Sequence, residues 1–238
     1  MQAPITERFV FQAQELSHKL SQVSQGMLTG YWLFEFLATN PLHQANSLYL
    51  SVQQGQVIFS GDKPLSWQSL LKVFQRYVPR LRSNGAKHSV ARLEQQLIFK
   101  ASDSKLSIPQ ELLNALYQLN LITLEEVTQS LRLKILADFD TYLFEYPGQA
   151  QFLPSVQLDG FVLNTGFELQ ELLAEAQRRH HLWRRLRSQI PSMDSIPVLN
   201  SEAIAQSYLS VEQKQRLEEL VPGTKNLNEI AAFLAKIV

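Results

Sequence analysis

The chain has 238 residues, 45% of them hydrophobic and 10% aromatic, which supports a substantial core and argues against disorder. Its 22 basic residues are matched by 22 acidic ones, so no net field draws the whole molecule to polyanions, and only local basic patches stay open as sites for them. With no cysteine, disulfides, thiolate metal sites and thiol nucleophiles are excluded; the N-terminus lacks an apolar leader segment and no 18 uncharged apolar residues run together, so a cytoplasmic protein is expected.

In chain order, Phe9, Ala13, Leu16, Leu20, Val23 and Met27 recur at alternating spacings of four and three, which predicts a helix over 6–27 with Thr6 as its N-cap. The same stripe is compatible with a seam for a partner helix or a homo-oligomer. Trp32, Phe34 and Phe36 alternate with Leu33, Glu35 and Leu37 as a period-2 strand. After a polar loop over 40–46, Leu48, Leu50 and Val52 predict a second strand, a turn around Gly55 follows, and 57–59 predict a third, giving an antiparallel meander. Ser66 caps a helix carrying Trp67, Leu70, Leu71, Phe74 and Val78, which Pro79 ends by withholding a backbone donor. The Ser, Asn and Gly cluster at 83–87 reads as a linker.

Beyond it the pattern is mostly helical: 90–99, then a helix opened by Ser107 and Pro109, then one capped by Thr123 and Glu126 and carrying Val127, Leu131 and Ile135. Residues 142–145 and 151–153, around Pro147 and Gly148, predict a small hairpin. A long helix spans 167–189 with Leu169, Leu172, Leu173, Ala176, Trp183 and Leu186 inward, and Glu175 spaced to offset Arg178 and Arg179. Ser210 with Gln213, and Asn226 with Glu229, cap two final helices around Val221, Pro222 and Gly223. The fold class is therefore α+β: an N-terminal unit of helix and small antiparallel sheet (1–82), a mainly helical extension with a small hairpin (83–200), and a partial, winged-helix-like helix-turn-helix (201–238).

Catalytic signatures are missing from the sequence: no phosphate-binding loop, no nucleophile elbow, no zinc-protease pair and no dinucleotide fingerprint. Glu125 and Glu126, or Glu218 and Glu219, are adjacent on helices and diverge, so they do not form a general acid/base pair. His180 and His181 are likewise adjacent rather than three or four apart, which disfavours a metal, and His18, His43 and His88 stand alone. No enzyme, cofactor or metal is expected.

The succession SLYLSVQQGQVIFSG, LSWQSLLKVFQRYVP, EEVTQSLRLKILADFDTYLFEY, ELLAEAQRRHHLWRRL and LEELVPGTKNLNEIAAFL resembles the N-terminal PATAN domain and helical extension of cyanobacterial PatA-type response regulators. Trp67, Pro79, Trp183 and Gly223 match that family's tryptophan after the third strand, helix-ending proline, long-helix tryptophan and glycine before the last helix. Leu65 and Ser66 stand where the family has two arginines, and no receiver-like aspartates follow, so a truncated chain or a receiver-less relative is expected. The resemblance implies a two-component output region acting by protein contacts in phototaxis and type IV pilus motility. Its implied partner is a pilus extension ATPase or a BLUF photoreceptor.

The residues nominated for partner binding are Trp32, Phe34, Phe36 and Trp67 on the sheet unit and Arg178, Arg179, Arg184 and Arg185 on the long helix. The aromatics fill one sheet face in the plainer reading, leaving the other face or an edge for a partner strand or helix. The arginines form a solvated helix face, or else meet an acidic protein surface or nucleic-acid phosphate. The alternative function is a transcriptional regulator that binds DNA through the C-terminal helix-turn-helix and the basic long helix. Against it, 226–237 offers Asn228, Glu229, Ala232 and a single late Lys236, a poor set for base edges.

Overall fold

A period-2 segment becomes a strand only when a neighbouring strand satisfies its backbone groups, and here one of those neighbours comes from a distant part of the chain. The computed structural model describes residues 8–23, 27–37, 47–101, 108–155, 158, 163, 165–186, 195–224, 227 and 230, without the side chains of 97–101, 108, 182, 183 and 186. The strands are β1 (Phe9–Phe11), β2 (Gly30–Phe36), β3 (Ser47–Gln53), β4 (Gln56–Gly61) and β5 (Gly148–Pro154), arranged antiparallel in the order β1-β5-β2-β3-β4. The helices are α1 (Leu16–Val23), α2 (Trp67–Tyr77), α3 (Asn84–Ala101), α4 (Ile108–Gln118), α5 (Leu124–Tyr142), α6 (Leu169–Leu186), α7 (Ser201–Ala205) and α8 (Val211–Leu220), with a 3-10 turn at Pro79–Arg82. This is an α+β fold.

Three expectations are corrected. The helix placed over 6–27 is strand β1 followed by the shorter α1, with Gln14 at φ 73 marking the break between them. Its apolar spacing suits a helix, but Phe9 and Phe11 alternate, and pairing with Ala150 and Gly148 satisfies their backbone as a strand. The hairpin expected around Pro147 is absent among the described residues: Tyr142 closes α5, and β5 pairs instead with β2 through Trp32↔Phe152 and Phe34↔Ala150. The linker at 83–87 is the first turn of α3, because the Ser83 hydroxyl accepts the Ala86 N–H at 3.2 Å and caps it.

The inner sheet face is built from Trp32, Phe34, Phe36, Leu48, Leu50, Val52, Ala150, Phe152 and Phe11, which share a core with Leu16 and Leu20 of α1, Ile135, Leu136 and Phe139 of α5, and Leu169, Leu172, Leu173 and Ala176 of α6. Register explains the set, since Trp32 faces Leu50 on one side and Phe152 on the other. The aromatic rings form a ladder at separations where offset and edge-on contacts are favourable: Phe9 to Trp32 at 5.7 Å, Trp32 to Phe152 at 5.2 Å and Phe36 to Tyr142 at 5.0 Å. Gly148 is required by a close approach, since a Cβ there would lie 2.3 Å from the Glu35 carbonyl oxygen and 2.8 Å from the Phe11 ring.

Helix α5 is the spine. Thr123 and Glu126 form the expected capping box at its start, of a kind that contributes about 1 kcal/mol. Glu126 does more than cap: both of its carboxylate oxygens accept from Arg80, whose Nε also donates to the Leu121 carbonyl at 2.8 Å, tying the 3-10 turn to the helix start. Val127 and Leu131 are buried toward the start of α5 and Ile135, Leu136 and Phe139 toward its end, so nearly its whole length is core.

By packing, the chain divides into two bodies, 1–181 and 182–238. The division expected at 82/83 is not a break in packing, because β5 lies between β1 and β2 within the same sheet. In the second body Asn200 caps α7, and Ser210 with Gln213 forms the expected capping box of α8. Neither helix buries a residue, and what is described of 201–238 does not amount to a winged helix. The calls on Thr6, the loop 40–46, Ser107, Asn226, Asn228, Glu229 and 231–238 lie outside the described residues, as does the Trp183 side chain.

Replacing Phe34, Leu50 or Phe74 by alanine is expected to lower stability by about 2–5 kcal/mol each through lost burial and the cavity left behind. Denaturant midpoints check this, and near-neutral values for all three contradict the packing. Gly148→Ala should destabilise comparably through backbone displacement at β2, whereas Gly85→Ala, with open space around its Cβ, should be neutral or slightly stabilising in α3.

Candidate partner-binding surfaces

Of the eight residues nominated for partner binding, the four aromatics are core. Trp32, Phe34, Phe36 and Trp67 are 2%, 1%, 7% and 6% exposed, so none presents a side chain for docking. The physical reason is the sheet's width. A strand at the centre of five has its inward residues covered along their whole length, whereas a three-stranded unit would have left them near an edge. Trp67 begins α2 under the Ser66 cap and its indole N–H donates to Glu94 of α3, which makes it a fastener between two helices.

The outward residues of the same strands are different. Tyr31 and Leu33 on β2, Tyr49 on β3 and Leu153 on β5 are half-buried, and the register sets Tyr31 beside Leu153 and Leu33 beside Tyr49. The Tyr31 and Tyr49 rings meet edge-on at 6.3 Å. A polar rim follows, in which Gln149 accepts from Arg8 and donates to Glu35 at 2.5 Å. Burial pushes the Tyr31 hydroxyl up from the usual phenol range, against a hydrogen bond from the Ser155 side chain that lowers it. Alternation with Trp32 and Phe34 already marked these residues as outward. What the sequence concealed was that the inward set leaves nothing for a partner.

The sheet edges are less open than a three-stranded unit implies. On β4, Val57 and Phe167 exchange both backbone hydrogen bonds at 2.9 Å. On β1, a strand of three residues, Lys19 Nζ donates to the Val10 carbonyl at 2.5 Å. Such a short, lysine-covered edge is a poor template for an added strand.

The arginine cluster of α6 separates into two roles. Arg179 is half-buried and its guanidinium donates to Asp140 of α5 at 2.6 and 3.1 Å. Glu175, expected to offset Arg178 and Arg179 within its own helix, instead accepts from Arg132 of α5. These two crossed pairs fix the register of α6 on α5. Beside them the His180 ring stacks on Phe144 at 4.3 Å. Arg178, Arg184 and Arg185 are exposed, the last two in the final turn of α6, where cations favour the helix dipole. Among the described residues no group of three or more His, Asp or Glu side chains converges as metal ligands, and no helix is long and apolar enough to cross a membrane.

No known protein family, no curated protein and no solved structure matches the chain.

Asp140 carries a testable consequence. Burial raises its carboxyl above the usual aspartate range, the nearby Arg179 guanidinium opposes this, and its Oδ1 is buried with no hydrogen-bond partner among the described residues. A raised acid binds its proton more tightly when folded, so its contribution to stability is greatest below the unfolded value and is lost as pH rises through the folded one. Relative to Asp140→Asn, the wild-type protein should therefore lose stability as pH climbs from about 4 toward neutrality. Parallel unfolding free energies of the two proteins across that window would show that Asp140 carries no such shift.

Proposed function

We propose that the chain is a non-enzymatic, cytoplasmic output region in signal transduction, acting by docking a protein partner on the outward face of β2, β3 and β5. The observation that carries this reading is the partly buried patch of Tyr31, Leu33, Tyr49 and Leu153 with its rim of Glu35, Gln149 and Arg8. Aromatic and aliphatic anchors inside a polar rim are the usual composition of a protein-binding centre. The PatA-like order of segments supports the partner class, a pilus extension ATPase or a BLUF photoreceptor, and with it a place in type IV pilus motility and phototaxis. Exposed Arg178, Arg184 and Arg185 then tune encounter rate and salt dependence rather than residence time.

The test is direct binding of this chain to the purified cyanobacterial pilus extension ATPase and to a BLUF photoreceptor, with point variants rather than deletions. Removing 1–82 would take away four of the five strands and leave β5 without partners. Leu33→Glu should weaken the Kd by about tenfold or more, as expected for a centrally placed apolar anchor. Arg184→Glu with Arg185→Glu should mainly slow association and flatten its salt dependence. Binding of neither protein, or equal affinity for Leu33→Glu and wild type, overturns the proposal.

A further inference from the structure

The outer face of the sheet has a symmetry that its composition alone does not reveal. The register sets its outward side chains in rows: Leu153 beside Tyr31, then Gln151, Leu33 and Tyr49, then Val10, Gln149 and Glu35. Arg8, one residue before β1, continues the middle row, because Phe9 pairs with Ala150 and so brings Arg8 opposite Gln151. From Arg8 to Glu35 is a step of two strands across and one row on. From Leu153 to Tyr49 is the same step.

Two equal and parallel steps have a consequence for a second copy laid face to face. On sheet spacings of about 4.8 Å between strands and about 6.8 Å between rows, the line through the midpoints of the two steps is perpendicular to both. A two-fold axis along that line sets Arg8 of each copy against Glu35 of the other, and Leu153 of each against Tyr49 of the other. Val10, Leu33 and Tyr31 fall within about 2 Å of the axis on the same spacings, so apolar side chains meet along the middle. Val10 is 58% exposed and flanked by the inward Phe9 and Phe11, which projects it from this face. Within one copy Arg8 and Glu35 are both exposed, and the amide of Gln149 accepts from the first and donates to the second.

We infer that the outer sheet face pairs with a second copy of this chain as a two-fold symmetric dimer, through reciprocal contacts of Arg8 with Glu35 and of Leu153 with Tyr49. Three rows on four strands cover roughly 400 Å² per copy, about half of a standard interface, so the association is weak and reversible. Its regulatory consequence rests on the docking proposal for this same face: a partner must displace the second copy, and self-association becomes its competitor. The dimer itself requires no partner.

Sedimentation velocity of the full chain from about 5 μM to about 1 mM should pass from monomer to dimer, with a Kd on the order of 100 μM. Arg8→Glu and Glu35→Arg each set like charges against each other at both symmetric contacts. Either should weaken the dimer about tenfold or more while leaving the unfolding midpoint unchanged. An equimolar mixture of the two variants should form a heterodimer at wild-type affinity, because every charge then meets its opposite. Contacts within one copy cannot produce that rescue. A chain still monomeric at about 1 mM, single variants that dimerise as the wild type does, or a mixture no tighter than either variant alone overturns the inference. A chain that stays monomeric yet binds a partner overturns the dimer and not the docking proposal, and a dimer that binds neither protein does the reverse.

Discussion

The pairing of β5 with β2 is the contact on which the rest depends. It draws 148–154 back between the two N-terminal strands, so that Phe152 and Ala150 complete the core row begun by Trp32 and Phe34. Without it, β1 has no strand partner among the described residues, because β5 is its one neighbour in the described sheet. The loop closure behind it is long, which costs entropy before any contact rewards it. The reward is an inner face on which every strand contributes large apolar side chains and three helices, α1, α5 and α6, bury theirs against them.

Helix α5 turns that sheet into a larger body by meeting something different along each part of its length. At its start, Glu126 is both cap and acceptor for Arg80, so the anion that the helix dipole favours there also fastens the 3-10 turn. In its middle, Lys134 and Asp138 reach toward β4, while Arg132 and Asp140 reach toward α6. A partly buried ion pair brings little net stability once desolvation is counted. Its value here is specificity of register, since sliding α6 by one turn would leave Asp140 and Arg179 without each other.

The same economy separates the surfaces. Charges that fix packing, Arg80, Arg132 and Arg179, are committed to carboxylates within the body. Arg178, Arg184 and Arg185 face solvent. The proposed docking face thus draws on residues outside the inner core, which is where binding can vary with least loss of structure.

Local chemistry by itself determined the α+β class, strands β2 and β3 with their inward residues, the presence of β4, the start of α2 at Ser66, the capping boxes of α5 and α8, and the long α6. Each rests on a period or a cap that neighbouring residues complete among themselves. Only tertiary structure decided that Phe9 to Phe11 is a strand, that 148–154 is the sheet's second strand from its β1 edge rather than half of a local hairpin, and that Ser83 begins a helix where a linker was expected. A strand's identity depends on a partner more than a hundred residues away, as Phe11 and Gly148 show, and no local window contains that partner. The candidate site divided in the same way: alternation showed which residues of β2 point together, but only the fifth strand decided that Trp32, Phe34 and Phe36 are sealed and that Tyr31 and Leu33 keep a surface.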